Sequence, residues 1–348
     1  IAGCKNDEDT SSDDDILRIV ATSTQAGDLV DILLEGSENI VLSTLMNSGV
    51  DPHLYQPTQG DITALNAADL IVYNGLHLEG QFDAVFEALA EQDMSIYPLA
   101  AVVESAGFII KTADGFADPH FWFDPRNWAL TGKALAEILS GLAPSQGDIF
   151  RTNAENYRKQ LDMLYNWSTM AMNSVPAEQR YLVSSHDAFQ YFGDAFGWNI
   201  AAIQGFSTAD AAGVGDIQAI VDLILEQNVP VIFVESSIPP NTIEAVTEAV
   251  SALGGNTTQG IRTLYSDAMG NTDSFDGTYI GMLAYNVYTI LQSYQNAGVE
   301  FTIPSWPEDL LPLPPDSLLS AALPQSQSQS QSQSQSQSQS QSSSLPGE

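Results

Sequence analysis

Residues 145–175, "SQGDIFRTNAENYRKQLDMLYNWSTMAMNSV", are the stretch that decides the fold class. Its apolar residues recur close to the 3.6-residue period of an α-helix. They include Ile149, Tyr157, Leu161, Leu164 and Met170. A helix of this length can cross a whole molecule, because each residue adds ~1.5 Å. A second helical stretch, 126–143, comes directly before it with no strand-like run between them, so together they divide the chain into two parts.

Apolar runs alternate with amphipathic helical segments on both sides of this helical region. The runs that predict strands are 16–22, 39–45 and 69–75 before it, and 180–186, 198–206, 229–237 and 261–267 after it. The helical segments include 215–228, 241–253 and 279–298, and one that begins at Thr58, a predicted N-cap with Asp61 three residues later. This alternation is typical of parallel sheets with helices on both faces.

The sequence therefore predicts an α/β protein with two parallel-sheet lobes joined by a single long linker helix. The predicted divisions are an N-terminal tether (1–15), an N-terminal α/β lobe (16–124), a helical region with the linker helix (125–179), a C-terminal α/β lobe (180–305) and a tail (306–348). The tail begins with a Pro-rich stretch, which we expect to run over the surface. It then alternates Ser with Gln from Gln325 to Ser342, and we expect this low-complexity part to be disordered.

Composition limits the partners and the location of the chain. Its 348 residues carry 44 acidic and 10 basic side chains, a formal charge of -34, which excludes a nucleic-acid partner. The one cysteine, Cys4 in "IAGCKNDEDTSSDDD", follows small residues and precedes an acidic run, a pattern typical of a bacterial lipoprotein signal. We expect Cys4 to carry lipid and to anchor an extracytoplasmic protein to the membrane through a flexible tether. No later run reaches the ~18 apolar residues of a membrane-spanning helix.

Two of the four histidines share a local motif. His53 lies in "SGVDPHLYQPT" (48–58) and His120 in "GFADPHFWFDPRNW" (115–128), each after Asp-Pro. Proline fixes its own φ and favours an extended residue before it, which stiffens the backbone that presents the imidazole. Asp51 and Asp118, the aspartates of the two motifs, are placed to orient a loop or an imidazole.

The metal-ligand candidates are His53, His120, His186 and Asp267. Each lies at a predicted strand end or in the loop after one, where open α/β sheets bind ligands. Three imidazoles and one carboxylate suit Zn²⁺ or Mn²⁺. Any one of these histidines alone is more often an ordinary residue, so it is their joint placement that favours a metal site.

The remaining histidine and two acidic residues that follow soon after Asp267 have a simpler interpretation. His77, in "YNGLHLEGQ" at the start of a predicted helix, is interpreted as structural, with a hydrogen bond to backbone. Asp273 and Asp276 are interpreted as solvated loop or capping residues.

Several blocks resemble one known family. "GVDPHLYQPTQGDITALNAADLIVYNGLHLEGQF", "DPHFWFDPRNW", "LVSSHDAFQYFGDAFGW", "VIFVESSIPPNTIEAV" and "LYSDAMG" are similar, in order, to blocks of the TroA-like (cluster A-I) zinc/manganese solute-binding proteins of bacterial ABC importers. The resemblance covers roughly residues 16–298. It implies a metal held in the cleft between the lobes by His53, His120, His186 and Asp267, and an ABC permease as partner. We expect a monomer, with Zn²⁺ preferred because Mn²⁺ favours more oxygen ligands.

The chain departs from the family in two places. Segment 104–117 contains no histidine, whereas many zinc-specific members carry a His-rich loop there. In "GFSTADAAGVGDI", Ala211 replaces the usual Glu, which removes a local hydrogen bond but not a ligand.

Two other function classes use the same residues. A metallohydrolase could be built on three histidines, but the chain has no His-Glu-x-x-His stretch, and four protein ligands leave no activated water. An adhesin-like surface lipoprotein would hold the metal as a purely structural element. The prediction is therefore a metal receptor that is not an enzyme, with these two classes as alternatives.

Overall fold

The computed structural model describes residues 16–112 and 114–319. Cys4 with its predicted tether and the Ser/Gln tract lie outside the described residues. Within these ranges the strands are β1 Leu17–Ala21, β2 Ile40–Thr44, β3 Leu70–Tyr73, β4 Ile96–Pro98, β5 Tyr181–His186, β6 Asn199–Gln204, β7 Val231–Ile232 and β8 Thr258–Gln259. The helices are α1 Thr24–Leu34, α2 Gln59–Asn66, α3 Asp83–Ala90, α4 Ala100–Ser105, α5 Pro125–Leu142, α6 Gly147–Met172, α7 Gln190–Phe196, α8 Val214–Gln227, α9 Asn241–Ala252, α10 Tyr279–Asn296 and α11 Asp316–Leu319.

The N-terminal lobe, β1–β4 with α1–α4, is built on one parallel sheet with strand order β2-β1-β3-β4. The central strands β1 and β3 pair with Ile19 opposite Leu70, and both residues are buried. Helix α2 begins with the predicted capping box: Asp61 N donates to Thr58 Oγ1 at 3.2 Å, and Thr58 N donates to Asp61 Oδ2 at 2.7 Å. The polar turn before α2 is thereby fixed.

The C-terminal lobe, β5–β8 with α7–α10, contains two parallel strand pairs, β5-β6 and β7-β8. Phe233 N donates to Val183 O at 2.8 Å just after β7, which connects the two pairs. The predicted fold class, two α/β lobes with parallel strands, is confirmed.

The predicted strand 261–267 is wrong. Its only strand-like pairing among the described residues is an isolated bridge between Leu264 and Glu235, and the paired strand β8 lies earlier in the chain. Strand β8 ends at Gln259, and the backbone bends at Ile261 and Arg262, just after Gly260, where an added Cβ would lie 2.5 Å from the Phe233 ring. At this bend, Ile261 N donates to the Ser293 side chain at 3.1 Å. A side chain of α10 thus satisfies backbone that a strand neighbour would otherwise satisfy.

The predicted long helix corresponds to α6, which has 26 residues and a length of about 39 Å. It packs against α5, α1 and α10. Tyr157, Leu161 and Leu164 face the interior as the period predicts, but Met170 is 58% exposed. The buried face continues instead through Trp167 and Ala171, which follow Leu164 at helical spacing.

The main hydrophobic core runs through both lobes without a break. It extends from Ile19 of β1 through Trp128 of α5 and Leu164 of α6 to Leu182 of β5. Two smaller clusters cover the outer parts, one around Ile71 in the N-terminal lobe and one in the C-terminal lobe. The two lobes are therefore packed on a shared helical layer, which fixes the cleft between them.

Candidate metal centre

The structure brings His53, His120, His186 and Asp267 together in the cleft. One ligand-capable atom from each lies within 4.8 Å of those of the other three. His53 is 4% exposed, and the other three side chains are almost completely buried. The two lobes contribute two residues each, so the site exists only where the lobes meet.

Three of the four ligand-capable atoms form a tight triangle. Nε2 of His120 and Nε2 of His186 are 3.3 Å apart, and each is 3.3 Å from Oδ1 of Asp267. The ring of His53 lies beside them, with centroid distances of 5.6 Å to His120 and 5.9 Å to His186. A single ion between these atoms could contact all four residues.

The two Asp-Pro-His motifs share one contact. In each, the backbone N–H of the histidine donates to Oδ1 of the aspartate two residues earlier, at 2.9 Å in both His53 and His120. The motif therefore fixes the backbone that presents the imidazole.

The two aspartates differ in their second contact. Asp118 Oδ1 lies 2.7 Å from Nδ1 of His120 and orients that ring. Asp51 Oδ2 accepts a hydrogen bond from Thr208 Oγ1 of the C-terminal lobe at 2.6 Å. Each of the two roles that the sequence predicts for these aspartates, orienting an imidazole or a loop, is found in one copy of the motif.

Glu235 is a residue that sequence reasoning missed. It is buried; its Oε2 lies 2.6 Å from Nδ1 of His186, and its Oε1 accepts the His186 N–H at 2.9 Å. His186 is the last residue of β5, and Glu235 follows β7, which lies beside it. One feature of the sequence could have revealed it. Glu235 directly follows the apolar run 229–234, and a carboxylate buried at the end of a strand needs a partner.

The hydrogen bonds around the centre determine which atoms face inward. Carboxylates only accept, so Asp118 and Glu235 fix the protons of His120 and His186 on Nδ1 and aim the Nε2 lone pairs at the centre. His53 Nε2 and Asp267 Oδ1 are buried and have no hydrogen-bond partner. Each such unsatisfied atom costs about 1–3 kcal/mol. A bound divalent cation would satisfy all four, so the residues fit a metal ion.

Protonation of the centre follows from burial and from its carboxylates. Burial lowers the pKa of His53 to about 3, so this imidazole stays neutral. Burial also disfavours a charged His186, but Asp267 and Glu235 outweigh it and hold the pKa of His186 well above its ordinary value. Burial similarly opposes charge on His120, whose pKa is nevertheless raised by Asp118 and Asp267. The carboxylates thus favour a cation at both Nε2 atoms, and a proton competes there with a metal ion.

The other predicted residues lie outside this cluster. His77 is 83% exposed, and its Nδ1 lies 2.8 Å from Asp83 Oδ2, so its polar contact is with a side chain rather than the predicted backbone. Asp273 is exposed in a loop, as predicted. Asp276 is half-buried and accepts a hydrogen bond from the Tyr265 hydroxyl at 2.5 Å, so it is less solvated than predicted.

Comparison with known proteins gives one consistent family. Residues 19–293 match the family model of the zinc-uptake complex component A, periplasmic. The chain is 37% identical over 294 residues to the manganese-binding lipoprotein MntA of Bacillus subtilis, covering 84% of this chain and 94% of that protein. It is 39% identical over 273 residues to the zinc-binding protein TroA of Treponema pallidum, covering 78% and 87%. The solved structure of the periplasmic zinc-binding protein TroA from Treponema pallidum superposes with a TM-score of 0.76 at 38% identity, over 80% of this chain and 99% of that one.

Proposed function

Because the chain belongs to the family of periplasmic zinc-uptake component A proteins, the metal-binding receptors of ABC importers, we propose that it captures a divalent transition metal outside the cytoplasm and delivers it to an ABC importer. The observation that carries this proposal is the convergence of four buried ligand-capable atoms, two of which have no other partner. Such a set is costly to keep in the interior unless a cation is bound there.

The ligands in this proposal are His53, His120, His186 and Asp267. Asp118 and Glu235 hold two of the imidazoles in the tautomer that presents Nε2, an arrangement common at protein metal sites. The metal is the cargo of the receptor.

We propose Zn²⁺ as the preferred metal and Mn²⁺ as the alternative. The names of the relatives support both, since MntA is a manganese-binding lipoprotein and TroA a zinc-binding protein. Three nitrogen ligands and one carboxylate favour Zn²⁺, because Mn²⁺ prefers oxygen-rich surroundings and a higher coordination number.

The proposed receptor has no catalytic role. Four protein side chains complete a tetrahedral zinc shell, and catalytic zinc sites instead keep one position for water. Zinc-loaded protein should therefore fail to hydrolyse ester or peptide substrates above the rate of free Zn²⁺. Turnover that disappears in His120→Ala would contradict this part of the proposal.

The proposed location is the outer face of a bacterial membrane, with a lipid on Cys4 as anchor and an ABC permease as partner. Across the described residues, every helix is too short or too polar to span a bilayer. The relative MntA is named a lipoprotein, which supports an anchor of this kind. We propose that the receptor acts as a monomer, since each chain supplies all four ligands. Replacing Cys4 should move the cellular protein out of the membrane fraction.

The test of the function is elemental analysis of protein purified without added metal, followed by competition titration with Zn²⁺ and Mn²⁺. We expect one metal ion per chain. A structural metal would make the apo-protein unfold, whereas a receptor should lose its metal reversibly and remain folded at a lower thermal midpoint. Protein that binds neither metal would overturn the proposal.

A further inference from the structure

The segment that carries Asp267 is anchored differently on its two sides. Before the ligand, the C-terminal lobe holds the chain: Leu264 N donates to Val234 O at 2.9 Å, and Tyr265 N donates to Asn286 Oδ1 at 2.9 Å. Between residues 266 and 269, the backbone contacts change to the other lobe. Since 261–267 is not a strand, no sheet fixes the position of Asp267.

Helix α1 of the N-terminal lobe supplies those contacts through Gln25. The Gln25 side chain is 2% exposed, and its Nε2 donates to the backbone carbonyls of Asp267 at 3.1 Å and of Ser266 at 3.4 Å. Within the C-terminal lobe, Ser237 Oγ lies 3.3 Å from Ser266 Oγ and 3.4 Å from Asp267 Oδ2. The backbone of the ligand is therefore held across the cleft.

Thr24 completes the arrangement on the far side of the ligand. Its hydroxyl accepts the Met269 N–H at 2.9 Å and donates to Gln25 Oε1 at 3.0 Å. Thr24 and Gln25 thus bracket Asp267 with one continuous set of hydrogen bonds. A set in which every member is satisfied is more rigid than the separate bonds would be.

Helix α1 is a firm support for this bracket. Ser23 caps its first turn, with Ala26 N donating to Ser23 Oγ at 3.2 Å. Leu29 and Leu33, on the following turns, are fully buried in the core that both lobes share. The position of Gln25 is consequently set by the N-terminal lobe and its core packing.

We propose that Gln25, supported by Thr24, is a positioning residue for the metal ligand Asp267, an inference that rests on the proposed metal-binding function. Gln25 holds the carbonyl of Asp267 so that Oδ1 lies beside both Nε2 atoms of the centre. The N-terminal lobe therefore contributes to three ligand positions, two directly and one through α1.

The test variant is Gln25→Met, which keeps the side-chain length and the helix propensity but removes the amide donor. Asn153→Leu is the matched control, because Asn153 Nδ2 also donates to two backbone carbonyls. These are Leu33 O at 3.0 Å and Glu35 O at 2.8 Å, at the C-terminal end of α1 and away from Asp267. Both variants should lower the thermal midpoint. Only Gln25→Met should weaken Zn²⁺ binding, by about 10-fold or more, as for other residues that orient a ligand.

Two further measurements separate positioning from general destabilisation. The visible absorption of the Co²⁺-loaded protein, which depends on coordination geometry, should change in Gln25→Met and not in Asn153→Leu. In an Asp267→Ala background, Gln25→Met should cause no further loss of affinity, because its effect passes through the missing ligand. Thr24→Val gives an independent variant and should reproduce the spectral change.

The outcomes distinguish this inference from the proposed function. If Asp267→Ala binds Zn²⁺ more weakly than wild type while Gln25→Met and Thr24→Val stay within about twofold of wild type, the positioning role is wrong and the receptor function stands. If wild type binds neither Zn²⁺ nor Mn²⁺, the function fails and the inference fails with it. If Asp267→Ala binds Zn²⁺ as tightly as wild type, Asp267 is not a ligand and the inference is wrong, whereas the receptor function stands.

Discussion

Thr208 Oγ1 donates a 2.6 Å hydrogen bond to Asp51 Oδ2, and the bond spans the cleft beside the candidate metal centre. Asp51 also accepts the backbone N–H of His53, so a contact from the C-terminal lobe reaches this proposed ligand of the N-terminal lobe through one carboxylate. This bond supports the backbone beside His53, whereas Gln25 supports the backbone of Asp267 on the other side of the centre. We therefore expect that breaking the bond between Thr208 and Asp51 will speed release of the metal.

Thr208→Val should speed metal dissociation by about 2- to 10-fold, the effect expected for the loss of one net hydrogen bond. Stopped-flow transfer of Zn²⁺ to a chromophoric chelator measures the rate. Thr63→Val is the control, since the exposed Thr63 hydroxyl donates to Gln59 O within helix α2. Equal dissociation rates for wild type and Thr208→Val would show that this bond does not retain the metal.

His120→Ala should reduce metal affinity by orders of magnitude, because it removes a ligand from the buried centre and leaves Asp118 without its partner. His77→Ala should leave affinity nearly unchanged, since His77 is exposed and pairs with Asp83. Competition titration of both variants checks the ligand assignment. The assignment is wrong if His77→Ala proves the more damaging change.

Glu235→Gln should lower Zn²⁺ affinity by about 10- to 100-fold, the usual effect of changing a residue that orients a metal-binding histidine. The variant keeps the size of the side chain but weakens the hold on Nδ1 of His186. Glu137→Gln is the control, because Glu137 pairs with Arg151 at the surface. Calorimetric titration should separate the two, and equal affinities would exclude a role for Glu235.

Metal affinity should fall as the pH decreases through and below neutrality. The raised pKa values of His120 and His186 mean that protons compete for their Nε2 atoms at higher pH than for an ordinary histidine, whose pKa is about 6.5. His53, with a pKa of about 3, stays neutral over this range and adds nothing to the pH dependence. Titrations between about pH 7.5 and 5.5 test this, and a flat affinity would exclude a histidine-dominated site.

The sequence predicts the lobes, the linker helix and the four clustered residues because each leaves a local pattern. Apolar runs mark the buried strands, the 3.6-residue period marks α6, and the Asp-Pro-His motif marks two of the histidines. These signals depend on neighbours in the chain, which are visible without a structure.

The contacts that link distant parts of the chain could not be predicted in the same way. Segment 261–267 resembles a strand in sequence, but its backbone bends at Ile261 and Arg262, and side chains of α10 hold it in an irregular path. Glu235 and Gln25 lie in ordinary strand-end and helix-start sequences, and their roles come from partners 49 and 242 residues away. No periodicity encodes such pairings, since they depend on how the lobes pack.

The uninterrupted core between the lobes has a thermodynamic consequence for metal capture. Rotating one lobe away from the other would break the 3.0 Å hydrogen bond from Tyr279 N of α10 to Asp28 Oδ2 of α1 and would disturb the Tyr279 ring, which stacks 5.2 Å from Trp128 in the shared interior. Because the lobes are already packed together, binding of the ion should bury little additional apolar surface. The heat capacity change of binding should therefore be small. A binding site that is formed before the ion binds selects among metal ions by the size of the cavity and the type of donor atoms. The permease then has to supply the free energy for removing the ion.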